Sequence, residues 1–479
     1  MIYSNKRNFS FYLSQNIIVV LITMISLIIF TRIFSPKEFG IYALAMVFGN
    51  IFSSIINFGL HLAYESFYFK IGNKSERNIL FNSLLYFNII IFLFFLIPIN
   101  FFQKDISYLI FNSKDYSEFI FISYVASNLS YLNSFFLLKT RNKKDGKINS
   151  IIKIGIIFFQ FLLSLFLIFY LEFKIEGLIY AILISNLIIL LYLIIFYTDN
   201  KAVFKMEILK KALIFSYPLF PKILMGAANS SYDKFVVKLL VSLGGLGVYD
   251  ISQRIVNYCN NFLEALQNTF VPDFYKKANE SNVLKKKDLP FFITKYLFIY
   301  LFFCLIISFF SFELISIITP KKFHEAINLV SILSLSYSLI FFGSAPVLIH
   351  LKKTFLISKL SVFSFILNII IVICFINTFG LIGAVIGILI SNLIIELIRF
   401  IIVYRLFPLK WDFKKILTIY FLLFFFSIII IIARENELNY FFRLSMKILF
   451  IILFLYFGNK NRIFDLKFYY KVVVRKLLN

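Results

Sequence analysis

Six polar residues recur at steps of three or four positions in an otherwise apolar stretch: Asp250, Arg254, Asn257, Asn261, Glu264 and Asn268. This spacing places all six on one face of an α-helix. An arginine guanidinium donates charge-assisted hydrogen bonds that suit phosphate and carboxylate groups. Arg254 is therefore a candidate for binding an anion. The sequence shows no arrangement of nucleophile and base that would indicate covalent catalysis.

The preceding apolar segment carries three polar residues and two prolines: Lys222, Asn229, Asp233, Pro218 and Pro221. Paired prolines interrupt backbone hydrogen bonds and permit a bend. Lys222 lies about ten residues, or roughly 15 Å, into its segment, and Arg254 lies at a similar depth in the next. A cation near the middle of a membrane is either paired or a binding group. An ion pair with Asp250 is the alternative role for Arg254.

Composition places these residues in a membrane protein. The 479 residues are 61% hydrophobic and 15% charged, more apolar than a soluble domain requires. Fourteen apolar runs have about the 20 residues that a spanning helix needs. The net charge of +25 does not indicate nucleic-acid binding, because Lys and Arg gather in short loops. The three Cys and three His are scattered, which predicts neither a disulfide nor a metal site.

The loops predict the orientation of the chain. Basic residues concentrate before segment 1, in loops 4–5, 8–9 and 12–13, and after segment 14. Loop 4–5, for example, contains Lys139, Arg141, Lys143, Lys144 and Lys147. The intervening loops are poor in cations. The positive-inside rule therefore predicts that both termini are cytoplasmic. The simplest interpretation of these charged runs is topology, without any ligand.

A repeat divides the chain. The stretch "ILISNLII" occurs at Ile182–Ile189 and again at Ile388–Ile395, and "FGIY" at Phe39–Tyr42 resembles "LGVY" at Leu246–Tyr249. Both pairs lie six segments apart, so the repeats are parallel, related by an axis along the membrane normal. We expect an N-terminal six-helix lobe over 1–205, a C-terminal six-helix lobe over 206–408, and helices 13 and 14 with a basic tail over 409–479.

The repeat also predicts a second polar stripe. Subtracting 207 from the positions around Arg254 gives Asn50, Ser54, Asn57 and His61 on segment 2. Two stripes that face each other would line a central hydrophilic cavity. We therefore expect Arg254, Lys222, Asn50, Asn57, Asn257 and Asn261 to bind substrate there. Asp250, Asp233, Glu264, Pro218 and Pro221 are the candidates for gating or ion coupling.

Three stretches carry a resemblance to a known family: "RIFSPKEFGIYALAMVFGNIFSSIINFGL", "YPLFPKILMGAANSSYDKFVVKLLVSLGGLGVYDISQRI" and "FGLIGAVIGILISN". They resemble segments of the Wzx-type polysaccharide flippases, in the superfamily of MATE multidrug transporters and lipid II flippases. The resemblance implies two lobes in a V, a central cavity and alternating access. It implies that Arg254 holds a lipid pyrophosphate and that helices 13 and 14 form a groove for a polyprenyl tail. It also implies that Arg32, at the outer end of helix 1, lies at a position that is commonly basic in the family.

The sequence thus predicts a flippase of the bacterial cytoplasmic (inner) membrane that moves polyprenyl-pyrophosphate-linked oligosaccharide to the outer leaflet. The carrier lipid would be undecaprenyl pyrophosphate, and the product O-antigen for lipopolysaccharide, capsule or a related surface glycan. Expected partners are this substrate, membrane lipids and other polysaccharide assembly proteins. We expect no cofactor. Coupling to protons, sodium or the membrane potential stays open, and no Walker motif for ATP is present.

Two alternatives come from different classes. A multidrug exporter, or an exporter of another lipid-linked precursor, would share the fold. A multidrug exporter is expected to use intramembrane carboxylates, whereas segment 1 lacks any and the midplane cations favour an anionic substrate. A membrane-embedded polymerase or ligase is expected to need a large external loop with catalytic Arg or His, and the predicted external loops are short.

Overall fold

The computed structural model describes residues 2–198, 204–229, 231–279, 289–340, 347–348, 351, 353–409, 411–461 and 463. Every regular element in this part of the chain is a helix. The helices of the first half are α1 (Ile2–Ile33), α2 (Pro36–Asn57), α3 (Leu60–Tyr68), α4 (Lys74–Phe111), α5 (Ser117–Asn142), α6 (Gly146–Phe169), α7 (Glu176–Tyr197), α8 (Met206–Ser216), α9 (Phe220–Asn229) and α10 (Tyr232–Leu240). Those that follow are α11 (Leu243–Asn279), α12 (Leu289–Phe309), α13 (Ser311–Ile318), α14 (Ala326–Ser338), α15 (Thr354–Leu406), α16 (Phe413–Glu435) and α17 (Tyr440–Lys460).

The protein is an all-α, multi-pass membrane protein. Ten described helices are long and apolar enough to cross a membrane. One of them, over Phe355–Leu406, has 52 residues and is interrupted at Gly380, where φ is 59° and ψ is −136°. At 1.5 Å per residue this length is far greater than a ~30 Å hydrocarbon core, so it supplies two crossings. Together with the less apolar segments over α8–α10, α11 and α14, the helices agree with the predicted total of about fourteen.

The start of α2 shows how the sequence sets a helix boundary. Ser35 is the N-cap residue, and its hydroxyl accepts a hydrogen bond from Glu38 N at 3.3 Å. The Glu38 carboxylate in turn accepts from Ser35 N at 2.7 Å, and Pro36 occupies the first turn. This reciprocal pair satisfies amide groups that have no partner inside the helix. The "SPKE" sequence predicts this capping box, and the structure confirms it.

The chain divides into two compact units. The first comprises Met1–Gly247 with Ile318–Lys322, and the second comprises Val248–Ile317 with Phe323–Asn479. In the first unit, α5 packs against α2, α4 and α7, and α6 packs against α1 and α7. In the second unit, α14 packs against α12 and α15, and α16 contacts α12 and α17. The predicted lobe boundaries at 205 and 408 remain a prediction.

The repeated glycines form a reciprocal contact inside the first unit. A Cβ atom on Gly40 would lie 1.9 Å from the carbonyl oxygen of Leu243, and one on Gly247 would lie 1.8 Å from that of Pro36. Adding 207 converts Pro36 to 243 and Gly40 to 247, so the two halves of the contact exchange under the repeat. The backbones of α2 and the first turn of α11 therefore meet where a side chain could not fit.

The "ILISNLII" copies also make equivalent contacts, each within its own unit. Asn133 on α5 donates to the backbone and side-chain oxygens of Asn186 on α7, both at 2.9 Å. Asn392 on α15 donates to the hydroxyl of Ser336 on α14 at 2.9 Å. Buried polar groups are tolerated in apolar surroundings when they are hydrogen-bonded. The asparagines therefore join corresponding helices in the two repeats.

Replacing Gly247 by alanine tests the reciprocal contact. The added methyl must displace the Pro36 carbonyl, so we expect a loss of about 1–3 kcal/mol of stability, the usual cost of overpacking. Gly155→Ala is the matched control, because a Cβ atom at Gly155 meets nothing within 4 Å. The measurement is the midpoint of thermal unfolding in detergent. Equal midpoints for the two variants would contradict the proposed close contact.

Candidate functional site

The polar face of α11 lies opposite a buried apolar face. Ile251, Ile255, Cys259 and Leu263, each four residues apart, are all buried. On the other face, Asn257, Asn261 and Glu264 are exposed. The predicted stripe is therefore an accessible surface of a single helix from Arg254 to Glu264. The side chain of Asn268 lies outside the described residues.

An ion pair lies at the start of this face. Nε of Arg254 donates to Oδ2 of Asp250 at 2.6 Å, one helical turn away. The Asp250 side chain is 2% exposed, whereas the Arg254 side chain is 40% exposed. The aspartate is thus buried against the protein, and the arginine extends from it into accessible space. The pair holds the guanidinium in place and leaves part of the arginine side chain accessible to a ligand.

The stripe on the first repeat is shorter than predicted. The predicted stripe from Asn50 to His61 requires one continuous helix, but α2 ends at Asn57 and α3 begins at Leu60. Phe58 and Gly59 between them have φ angles of 48° and 76°. Glycine is favoured at such a left-handed helix end, so Gly59 was the available signal. His61 therefore belongs to a separate helix.

The two asparagines of this stripe lie in different surroundings. Asn50 is exposed, whereas Asn57 is buried. The Asn57 amide contacts Nδ1 of His61 at 2.8 Å, and its oxygen accepts a hydrogen bond from the Tyr131 hydroxyl. Tyr131 was not predicted, because it lies on α5, 74 residues away in sequence. In this structure Asn57 joins α2, α3 and α5.

The break after α2 packs against a second helix break. Tyr217–Leu219, which includes Pro218, forms a 3-10 turn between α8 and α9. Ser216 at the end of α8 donates to the Gly59 carbonyl at 3.2 Å, and the rings of Phe58 and Phe220 stack with centroids 4.5 Å apart. The proline pair thus coincides with an interruption of the helix, and this interruption contacts the one at Gly59.

The remaining predicted residues lie around these breaks. Lys222 follows Pro221 in α9, and its side chain lies outside the described residues. Asp233 is buried in the first turn of α10, where Oδ1 accepts from the Lys234 backbone N at 2.9 Å. A carboxylate is favourable there because the helix N-terminus carries partial positive charge.

Arg32 is exposed at the end of α1, within the first unit. Its guanidinium donates to the carbonyl oxygens of Ile28 at 2.5 Å and Ile318 at 3.5 Å. Lys322 donates to the Arg32 carbonyl at 3.4 Å. Burial lowers the pKa of Lys322, and the Glu38 carboxylate partly offsets this effect. Arg32 therefore caps the C-terminal ends of α1 and α13.

The structure brings together two sets of predicted residues. Asp250 contacts Arg254 in the second unit, and Asn57 contacts His61 in the first. Asn257 accepts a bond from Asn260 at 3.4 Å. The substrate-binding and gating roles assigned to these residues, and the central cavity, remain predictions.

Comparison with known proteins identifies the fold. A family profile described as "Polysaccharide biosynthesis protein" matches residues 29–328. The structure resembles "Lipid II flippase MurJ, inward closed conformation", with a TM-score of 0.70 and 18% identity over 95% of this chain and 100% of that chain. It also resembles a multidrug resistance MATE family transporter of the MOP superfamily in an inward-facing conformation (TM-score 0.62, 16% identity, 81% and 94% coverage). No curated protein sequence matches significantly.

The ion pair can be tested by paired substitutions. Arg254→Ala leaves the buried Asp250 carboxylate without its guanidinium, and we expect a cost of about 1–3 kcal/mol of stability. Adding Asp250→Asn should recover most of that loss, because a neutral amide is cheaper to bury than a carboxylate. The measurement is the thermal midpoint of the single and double variants. A double variant that is less stable than Arg254→Ala alone would argue against the pair.

Proposed function

Because the chain belongs to the polysaccharide biosynthesis protein family, we propose that it is a flippase. It would carry a polyprenyl-pyrophosphate-linked oligosaccharide from the cytoplasmic to the outer leaflet of the bacterial cytoplasmic membrane. The product would be the repeat unit of O-antigen, capsule or a related surface glycan. Both termini would be cytoplasmic, and other polysaccharide assembly proteins would receive the product.

The main support is the accessible cation on α11. Polar side chains on a spanning helix are costly against lipid, so an accessible polar face is expected to face water. On such a face, a guanidinium can form charge-assisted, bidentate hydrogen bonds to phosphate oxygens. Arg254 has a partly exposed side chain that a buried carboxylate holds in place. We assign it the pyrophosphate, and we assign Asn257 and Asn261 the sugar hydroxyls.

The chemistry of the substrate explains why a protein path is needed. A pyrophosphate with a glycan cannot enter hydrocarbon unaided, because charge buried without a partner costs too much free energy. A polyprenyl tail can remain in lipid while the head group moves. The membrane potential favours outward movement of anions by about 2.3 kcal/mol per charge per 100 mV. It is therefore our proposed driving force, with proton or sodium coupling as the alternative.

The helix breaks suit a path that must open alternately to each side. A helix interrupted by proline or glycine can bend at that point, since local hydrogen bonds are already missing. We propose that Pro218 and Pro221 serve as this flexible point, and that Asp233 and Glu264 are the carboxylates for any coupling ion. Lys222, Arg32 and Asn50 would add further polar contacts for the head group.

The MATE-like fold keeps drug export as the second candidate. The two candidates differ in the charge of the substrate, because an accessible arginine favours an anion and repels a cationic drug. Testing whether the protein lowers the accumulation of cationic drugs in cells separates them.

Arg254→Ala should abolish surface-glycan export without loss of protein, while Arg254→Lys should retain part of it, because lysine keeps the charge and loses the bidentate geometry. Arg399→Ala is the matched control, since Arg399 also pairs with a carboxylate on its own helix, that of Glu396. We expect it to export normally. Export is measured as surface glycan per cell, with the amount of membrane protein determined in parallel.

The position of the stranded intermediate separates a flippase from an enzyme. Without the protein, complete lipid-linked oligosaccharide should accumulate on the cytoplasmic leaflet. An incomplete oligosaccharide, or a complete one that reaches the outer leaflet, would rule out the proposed flippase. Normal export by Arg254→Ala would rule out Arg254 as the cation site but would not rule out a flippase.

A further inference from the structure

A small cavity lies at the ends of three spanning helices in the first unit. It has a volume of about 80 Å³, and its lining includes Lys139, Lys143, Asp145, Ile148, Leu193 and Tyr197. These residues come from the end of α5, the start of α6 and the end of α7. A single water needs roughly 10–15 Å³ by such a measure, so there is room for a group of several heavy atoms. The lining combines apolar side chains with two lysines and one carboxylate.

Lys139 is built into the wall of this cavity. The residue is 3% exposed, its ammonium donates to the Tyr197 carbonyl at 2.8 Å, and it lies 4.1 Å from the centre of the Phe81 ring. It therefore caps the C-terminus of α7, where cations are favourable. The wall of the cavity therefore contains a buried cation, whose charge water screens less than that of an exposed lysine.

The surrounding sequence adds further positive charge. The nine residues of 139–147, "KTRNKKDGK", contain five cations and one carboxylate. That carboxylate, Asp145, accepts a bond from the Ile148 backbone N at 3.1 Å as the N-cap of α6. Lys143 lines the cavity, whereas its neighbour Lys144 does not. The cavity is therefore suited to a small anion.

The position of the cavity indicates where that anion comes from. Tyr192 and Phe196, in the last turns of α7, are exposed. Exposed aromatic residues at a helix end are typical of the membrane–water interface, and the positive-inside rule assigns this end to the cytoplasm. At that level, the phosphates closest at hand are those of lipid head groups. Basic pockets between helices on this side are known to hold anionic lipids.

We propose that this cavity binds the phosphodiester head group of an anionic phospholipid from the cytoplasmic leaflet. Lys143 would contact the phosphate, Lys139 would supply the buried charge, and the apolar side chains of the lining would contact the first carbons of the lipid. The bound lipid would join the ends of α5, α6 and α7. The site is separate from Arg254 and does not depend on the proposed transport function.

The test compares two neighbouring lysines in the full-length protein. Thermal unfolding is followed in detergent while short-chain phosphatidylglycerol, phosphatidylcholine or inorganic phosphate is added. Phosphatidylglycerol should stabilise the wild type saturably, and zwitterionic phosphatidylcholine should not. Lys143→Gln should weaken this binding about tenfold, the loss of one charge-assisted hydrogen bond. Lys144→Gln, with the same change in net charge, should retain it.

Three results would overturn the proposal. Equal weakening by both substitutions would mean that phosphatidylglycerol responds to the general charge of the loop. Stabilisation by inorganic phosphate that is equally strong and depends on Lys143 would identify a soluble anion in place of a lipid. Absence of saturable stabilisation of the wild type would show that the cavity has no affinity for this head group. None of these results bears on export through Arg254.

Discussion

A charge in a membrane-spanning helix must have a partner or water, and Arg254 has a carboxylate partner. Its carboxylate partner is buried one turn away, and its own side chain stays partly accessible. The two members of the pair therefore lie in different environments. Asp250 carries the cost of burial, while the guanidinium is held where the proposed anionic head group could reach it. The remaining polar residues of α11 continue the accessible face, and the apolar side of the same helix anchors it in the second unit.

The repeat preserves contacts that form the fold but not the charge pair. Gly40 and Gly247 meet in a contact that exchanges under the repeat, and Asn186 and Asn392 join corresponding helices. At the positions in the first repeat equivalent to Asp250 and Arg254, the chain has Ala43 and Val47, which are buried and apolar. The architecture is thus built twice, whereas the charge pair occurs in one copy. The proposed substrate, with one charged head group, requires no more than that.

Local patterns predicted what short-range physics controls. The apolar runs predicted the spanning helices, and the Ser35–Glu38 capping box predicted the start of α2. The spacing of polar residues at three or four positions predicted the polar face of α11. The break at Gly59 was missed because the apolar pattern continues through it. Long-range pairs could not be found from spacing. The buried Lys447 on α17, for example, forms an ion pair with Glu313 on α13 at 2.6 Å, across 134 residues of sequence. The partner of Asn57 on α5 was missed for the same reason.

The measurement that tests the central claim most directly is binding of undecaprenyl pyrophosphate to the purified protein in nanodiscs. The Asp250→Asn, Arg254→Ala double variant is the informative comparison, because it removes the cation without leaving a buried carboxylate unpaired. We expect this variant to stay folded and to bind at least tenfold more weakly than the wild type, the loss expected for one charged hydrogen-bonding partner. Equal affinity in the two proteins would show that Arg254 does not hold the pyrophosphate.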